Sequence, residues 1–270
     1  MDHLPQRVRV ERRPVSEAES QAANGPDWDR YADEYQATHG DFLGDSGFVW
    51  GPEGLREEEA GALGDVSGKR VLELGSGAGQ CSRWVRSHGG RAFGLDLSHR
   101  QLQHSRRLDE ATGISVPSVR GTATTLPFRD AGFDVVFCAF GALQFVADLD
   151  LAVGEVARVL ARPGRFAFSI THPSRWVFPD DPGSAGLTAS QSYWDRRPYV
   201  EVDPDTDEVS YVEHHRTLGD WVRHLSGAGF TLVDLIEPEW PDGHERIWGG
   251  WSPLRGRITP GTALFVATLG

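Results

Sequence analysis

An α/β domain built on a mostly parallel sheet is the fold this sequence predicts, and three observations predict it. From residue 70 onward, short apolar runs alternate with helix-length segments. One of those runs, residues 133–140 (FDVVFCAF), is apolar nearly throughout, as a strand covered on both faces should be. A turn rich in glycine, at residues 75–79, follows the first run.

The elements justify themselves in order. Residues 1–25 are polar and are expected to form a mobile tail, with residues 26–64 a helical lid. Trp28, Tyr31, Ala32 and Tyr35 recur at i, i+3, i+4 and i+7, one face of a helix, and a second short helix is expected over 52–63. Strands follow at 70–75 and 91–96. Ser98 is placed to cap a helix that Gly113 ends. Further strands are expected at 116–121 and 133–140, then a helix carrying Leu149, Ala152, Val153, Val156 and Leu160, then a strand at 165–171. Residues 173–216 interrupt the rhythm with Pro, Gly and Asp clusters together with Trp176, Phe178, Tyr193, Trp194 and Tyr199. It resumes at Thr217-Leu218-Gly219-Asp220, which resembles a capping box. A helix to Gly229, a strand at 230–237, a loop carrying Trp240, Trp248 and Trp251, and a final strand at 263–269 complete the chain. The core is therefore assigned to 65–270, with an aromatic insertion at 173–216.

Composition narrows the function. The 270 residues carry 39 acidic and 27 basic side chains, a net charge of −12 that disfavours nucleic acid and anionic membranes as partners. The central uncharged stretch, 135–147, is 13 residues, short of the ~20 a spanning helix needs. No apolar leader opens the sequence, so a cytoplasmic location is expected. Cys81 and Cys138 have neither metal-ligand nor disulfide-framework spacing, and no metal site is expected.

The chemistry concentrates at VLELGSGAGQ, residues 71–80. Glycines at 75, 77 and 79 let a ligand approach the backbone, and the helix that follows points its N–H groups into the crevice. The pattern is G-x-G-x-G with Gln80 where a dinucleotide fold wants its third glycine, which weighs against a nucleotide-dependent oxidoreductase. Asp96 ends the second strand 21 residues after Gly75, where a carboxylate accepts from ribose hydroxyls.

With GLDLS at 94–98, LPFRDAGFDVVFCAFGALQFV at 126–146 and EVARVLARPGRFAF at 155–168, the chain resembles the class I S-adenosylmethionine-dependent methyltransferases of the methyltransferase type 11 group. SITHP at 169–173 and HHRTLGDWVRHLSGAGF at 214–230 extend the likeness more loosely. The resemblance implies a Rossmann-like seven-stranded, mostly parallel sheet in the order 3-2-1-4-5-7-6 with its last strand antiparallel, and S-adenosylmethionine as cofactor. It also implies site residues. Glu73, Gly75 and Gly77 would surround the methionine part, Asp96 and Leu97 the ribose, Thr122 and Ala123 the adenine, and Phe140 would close the site. Tyr31, Ser76, Gly79 and Gln101 complete the expected cofactor set. Members of the group often carry an acid at position 122; here it is Thr122. The (Asn/Asp)-Pro-Pro-aromatic signature of amino-methylating enzymes is replaced by Cys138-Ala139-Phe140-Gly141, so a small-molecule acceptor is expected rather than DNA or a translation factor.

Methyl transfer needs a base only for a hydroxyl or an acidic carbon, and His172 and His215 are the expected candidates, with His214 pointing the other way. Tyr35, Trp50, Trp176 and Trp194 are the expected acceptor contacts. The competing reading is a protein that binds S-adenosylmethionine in a regulatory or scaffolding role without methyl transfer; a homodimer is left open.

Overall fold

The structure is a computed structural model and describes residues 8–270. Seven strands form the central sheet: β2 (Arg70–Leu74), β3 (Arg91–Asp96), β4 (Ser118–Arg120), β5 (Phe133–Cys138), β6 (Leu160–Thr171), β9 (Phe230–Ile236) and β10 (Thr262–Leu269). They lie in the order β4-β3-β2-β5-β6-β10-β9, and β10 runs antiparallel to both neighbours. Counted along the core this is 3-2-1-4-5-7-6, the expected order.

Both faces of the sheet are buried, which explains the continuous apolar strands. Along β5, Val136 and Cys138 pack with Leu72, Leu74, Phe166 and Phe168 under α5 (Leu149–Val159) and α6 (Leu218–Gly227). Val135 and Phe137 face the other way, against Phe48, Trp50, Trp84 and Val85, the last two from α3 (Gln80–Ser87). Side chains close the N-termini of α4 and α6. Ser98 accepts from the Gln101 N–H at the start of α4 (His99–Thr112), and Thr217 with Asp220 forms a complete capping box at α6.

Three expectations at the N-terminal side need correction. The tail assigned to 1–25 is structured from residue 9; residues 1–7 lie outside the described part. β1 (Arg9–Arg12) pairs antiparallel with β7 (Tyr199–Val202), which pairs with β8 (Val209–Glu213), so the aromatic insertion supplies two strands of a small three-stranded sheet. The helix expected from residue 27 starts ten residues earlier, as α1 (Glu17–Leu43), with Ser16 accepting from the Glu19 N–H. Its buried Asn24 substitutes for a strand at the edge of β8: Nδ2 donates to the Val212 carbonyl and Oδ1 accepts from the Val212 N–H, both at 2.9 Å. The helix expected over 52–63 shrinks to α2 (Glu57–Ala60) because the Glu57 carboxylate is spent on loop groups. It accepts from Trp50 Nε1 at 2.8 Å and from the backbone N–H groups of Ala62 and Leu63. Among the described residues no helix is long and apolar enough to cross a membrane.

Candidate active site

The turn after β2 and the turn after β5 nest against each other at the carboxyl edge of the sheet. Gly75 has φ +65°, and a Cβ there would stand 2.7 Å from the Ala142 backbone nitrogen, so only glycine lets the two turns meet. Gly77, at φ +51°, has open space around it; the nearest atom to a Cβ would be Gln101 Oε1 at 3.8 Å.

Asp96, at the end of β3, holds this turn in place. Its Oδ2 accepts from the Gly77 N–H and its Oδ1 from the Ser98 N–H, each at 2.7 Å. Burial pushes its carboxyl up to about 6 against the pull of those backbone donors. Glu73 is more deeply enclosed. Its Oε2 accepts from Ser82 Oγ at 2.5 Å and from the Ser82 N–H at 3.0 Å, and burial raises it to about 8.

Two adjoining cavities open above these residues. The first, about 850 Å³, is lined by Gly75, Gly77, Asp96, Leu97, Gln101, Thr122, Ala123 and Phe140, and on its other side by Glu17, Ser20, Gln21, Asn24, Trp28 and Tyr35 of α1. The second, about 560 Å³, is lined by Glu73, Ser76, Gln80, Cys81, Val49 and Trp248. Tyr35, Gly75, Gly77, Ala139 and Phe140 border both. Phe140 takes φ +52°, rare for a non-glycine residue, and its N–H donates to Ser169 Oγ at 2.8 Å.

An aromatic wall surrounds the junction. Tyr35 lies edge-on to Trp28 (5.6 Å between centroids) and to Trp248 (5.9 Å), and Phe140 lies 6.3 Å from Trp248. His39 stacks on Trp248 at 3.9 Å, and burial with the nearby Arg246 lowers its imidazole to about 4.

Ten of the expected cofactor residues thus border the cavities, and two do not. Gly79 starts α3 and faces Ser105 and Arg83, so its role is helix packing. Tyr31 stands one turn from Tyr35 and is 36% exposed, outside the cavity wall. Of the expected acceptor contacts only Tyr35 is on the wall. Trp50 is completely buried in the core with its indole N–H bound to Glu57. Trp176 is buried beneath the Arg12 and Arg175 guanidinium groups, and Trp194 is 68% exposed.

Neither expected base borders the cavities. His172 Nδ1 pairs with Ser174, and its Nε2 lies 2.8 Å from Glu237; His215 Nε2 meets the Tyr193 carbonyl at 2.7 Å. The alternation of the histidine pair holds with the opposite sense. His214 is the one turned toward the site, its Nε2 3.0 Å from Ser20 Oγ on the cavity wall. Burial lowers His214 to about 3, so it stands neutral at pH 7. Sequence reasoning missed Ser20, Gln21, Asn24, Phe145 and Trp248. For the α1 group, spacing at 17, 20/21, 24 and 28 was the available signal.

Residues 72–168 match the family described as "Methyltransferase domain". Over 99 residues the chain is 40% identical to a demethylmenaquinone methyltransferase of Thermus thermophilus, a match spanning 36% of this chain and 44% of that protein. The chain thus spans less than half the length of this curated relative. An S-adenosylmethionine-dependent methyltransferase structure from Mesorhizobium loti superposes with a TM-score of 0.63 at 27% identity, over 81% of this chain and 100% of that one. The 1,6-didemethyltoxoflavin-N1-methyltransferase of Burkholderia thailandensis, solved with 1,6-didemethyltoxoflavin and S-adenosylhomocysteine, shares the fold over 99% of this chain and 98% of its own (TM-score 0.62, 16% identity).

Sheet order and glycine turn are those of the class I S-adenosylmethionine-dependent methyltransferases that the chain resembles. Its methyltransferase domain is residues 72–168, from β2 through most of β6. The residues present fit that cofactor. Asp96 keeps acceptor capacity beside an open glycine, and Tyr35, Trp28, Phe140 and Trp248 offer the aromatic surface that suits a sulfonium cation.

Proposed function

We propose that this enzyme transfers the methyl group of S-adenosylmethionine to a small, flat organic acceptor seated against Tyr35, Phe140 and Trp248. The observation that carries the reading is the junction of the two cavities. The residues bordering both are the glycine turn that would hold the cofactor and the aromatic wall that would hold the acceptor. The named activities of the Thermus and Burkholderia proteins, both on small molecules, support the same class of acceptor.

The sulfonium supplies an already activated methyl carbon, which is attacked in line. The protein's own contribution is then positioning, which can supply ~7–11 kcal/mol. Asp96 would hold the ribose hydroxyls, and the Gly75–Gly77 backbone would take the methionine part without side-chain interference. The wall of Trp28, Tyr35 and Trp248 would exclude water and orient the acceptor ring. Burial pushes the Tyr35 phenol well above its usual range, so this side chain would act as a neutral donor rather than a base.

The test is incubation of the purified full chain with S-adenosylmethionine and a panel of quinols, phenols and nitrogen heteroaromatics, followed by mass spectrometry. Expected is S-adenosylhomocysteine formed in step with one methylated acceptor class, whose product also reveals whether O, N or C is methylated. Absence of calorimetric binding of either S-adenosylmethionine or S-adenosylhomocysteine would overturn the reading.

A further inference from the structure

Position 122 is a threonine where the resemblance leads one to expect an acid, and the adenine end of the first cavity therefore lacks the usual carboxylate on the sheet side. The opposite wall is polar. Gln21 of α1 borders the cavity beside Thr122 and Ala123, and its Nε2 donates to Glu17 Oε1 at 2.7 Å and to Thr124 Oγ1 at 3.1 Å. A carboxylate oxygen can only accept, so the amide is oriented with its nitrogen toward Glu17. Both amide hydrogens are then engaged, and Oε1 has no hydrogen-bond partner among the described residues.

The other side-chain oxygens nearby already have partners. Glu17 Oε2 takes the N–H groups of Ala147 at 2.8 Å and Asp148 at 2.9 Å, and the Thr122 hydroxyl pairs with Thr124 at 3.1 Å. Gln21 Oε1 is the one side-chain carbonyl or carboxylate oxygen of the helix at this end of the cavity that has no partner among the described residues.

We propose that Gln21 is a specificity residue for the cofactor: its side-chain carbonyl accepts from the 6-amino group of the adenine, the function position 122 does not fill with a carboxylate here. This rests on the cofactor reading above. The consequence is that α1, held by β1 and β8, forms part of the nucleoside site rather than only a cover over it. An acceptor there favours a base with an amino donor at C6. It disfavours a 6-oxo base, whose oxygen would face the Gln21 oxygen.

The test is calorimetric binding of S-adenosylhomocysteine and of its inosine counterpart, in which an oxygen replaces the 6-amino group, to the full chain and to Gln21→Met. The methionine keeps length and helix propensity while removing the amide. The wild-type protein is expected to prefer the adenosyl ligand. Gln21→Met is expected to bind that ligand about three- to tenfold more weakly, the size of one net hydrogen bond, with inosyl affinity unchanged within about twofold. Equal weakening of both ligands would mean that Gln21 only holds α1 in place, and an unchanged preference would mean that another group reads the base; either result overturns the proposal. Should the methionine variant fail to fold, Gln21→Asn, which withdraws the carbonyl by one methylene, supports the same comparison. If the wild-type protein bound neither ligand, the cofactor reading itself would fall, and this proposal with it.

Discussion

Two glycines in one turn are expected to fail in different ways when each gains a methyl group. Both have positive φ, a conformation that costs an L-residue roughly 1–2 kcal/mol. At Gly75 the new Cβ also lands 2.7 Å from the Ala142 nitrogen and 3.1 Å from the Ala142 Cβ. Backbone cannot rotate away as a side-chain tip can, so an overpacking cost of about 1–3 kcal/mol adds to the strain. Alanine recovers ~0.4–1 kcal/mol by restricting the unfolded chain. The net loss for Gly75→Ala is then about 2–4 kcal/mol, and at ~2–4 °C per kcal/mol for a chain of this size the melting temperature falls by roughly 5–15 °C. At Gly77 no protein atom is closer than 3.8 Å, so only the strain less the unfolded-chain term applies, a drop of no more than about 6 °C. The Gly77 methyl instead projects where both cavities meet, and S-adenosylhomocysteine affinity is expected to fall at least tenfold. Differential scanning calorimetry and titration calorimetry on the two variants separate the effects. Equal melting temperatures, or a Gly77→Ala protein that binds as well as wild type, would refute this account of the turn.

Three further outcomes are expected. Because burial raises Asp96 to about 6, its contribution to apo stability is fullest below the ordinary carboxyl range near 4 and is lost as pH rises through 6; ligand affinity should move oppositely, strengthening from pH 5 to 7 as the carboxylate forms, and Asp96→Ala should bind at least tenfold more weakly with that pH dependence gone in calorimetry. His172→Ala and His215→Ala should each cost about 1–3 kcal/mol in urea unfolding yet leave S-adenosylhomocysteine affinity within about twofold, whereas His214→Ala, which removes one partner of Ser20 on the cavity wall, should weaken binding about threefold; the reverse ranking would return the first two to the site. Removing residues 1–25 takes away β1 together with Ser20, Gln21 and Asn24 and should abolish measurable binding, so a truncated chain with wild-type affinity would show that α1 is dispensable.

The sheet and its floor were legible because their signals are local. Apolar runs of strand length, caps at Ser98 and Thr217, and a glycine turn with Asp96 at the next strand end need no distant partner to be recognised. What was not legible depends on pairing across the chain. Residues 9–12 are polar and arginine-rich, and they are a strand only because β7, about 190 residues later, lends its edge. Ser20 and Asn24 look like tail residues in sequence and are buried in the fold, satisfied by Phe145, His214 and Val212 rather than by apolar neighbours. Aromatic count likewise pointed to the right material and the wrong members. Trp50 is held in the core by Glu57, a contact seven residues away that no periodicity marks, while Trp248 reaches the cavity from the last long loop.

The pairing of Asn24 with Val212, 188 residues apart, sets an order on how a growing chain can assemble this molecule. The glycine turn, Asp96 and β5 are all present once residue 138 has been made. The strands that hold the N-terminal segment in place, β7 and β8, follow only after β6. Until then the nascent chain carries a cofactor floor with nothing above it, and residues 9–24 have no edge to join. Closing so long a loop is the slow, non-local kind of contact. A product released early, before residue 213, would keep the methyltransferase signature in full and lack the enclosure that lets it hold a ligand.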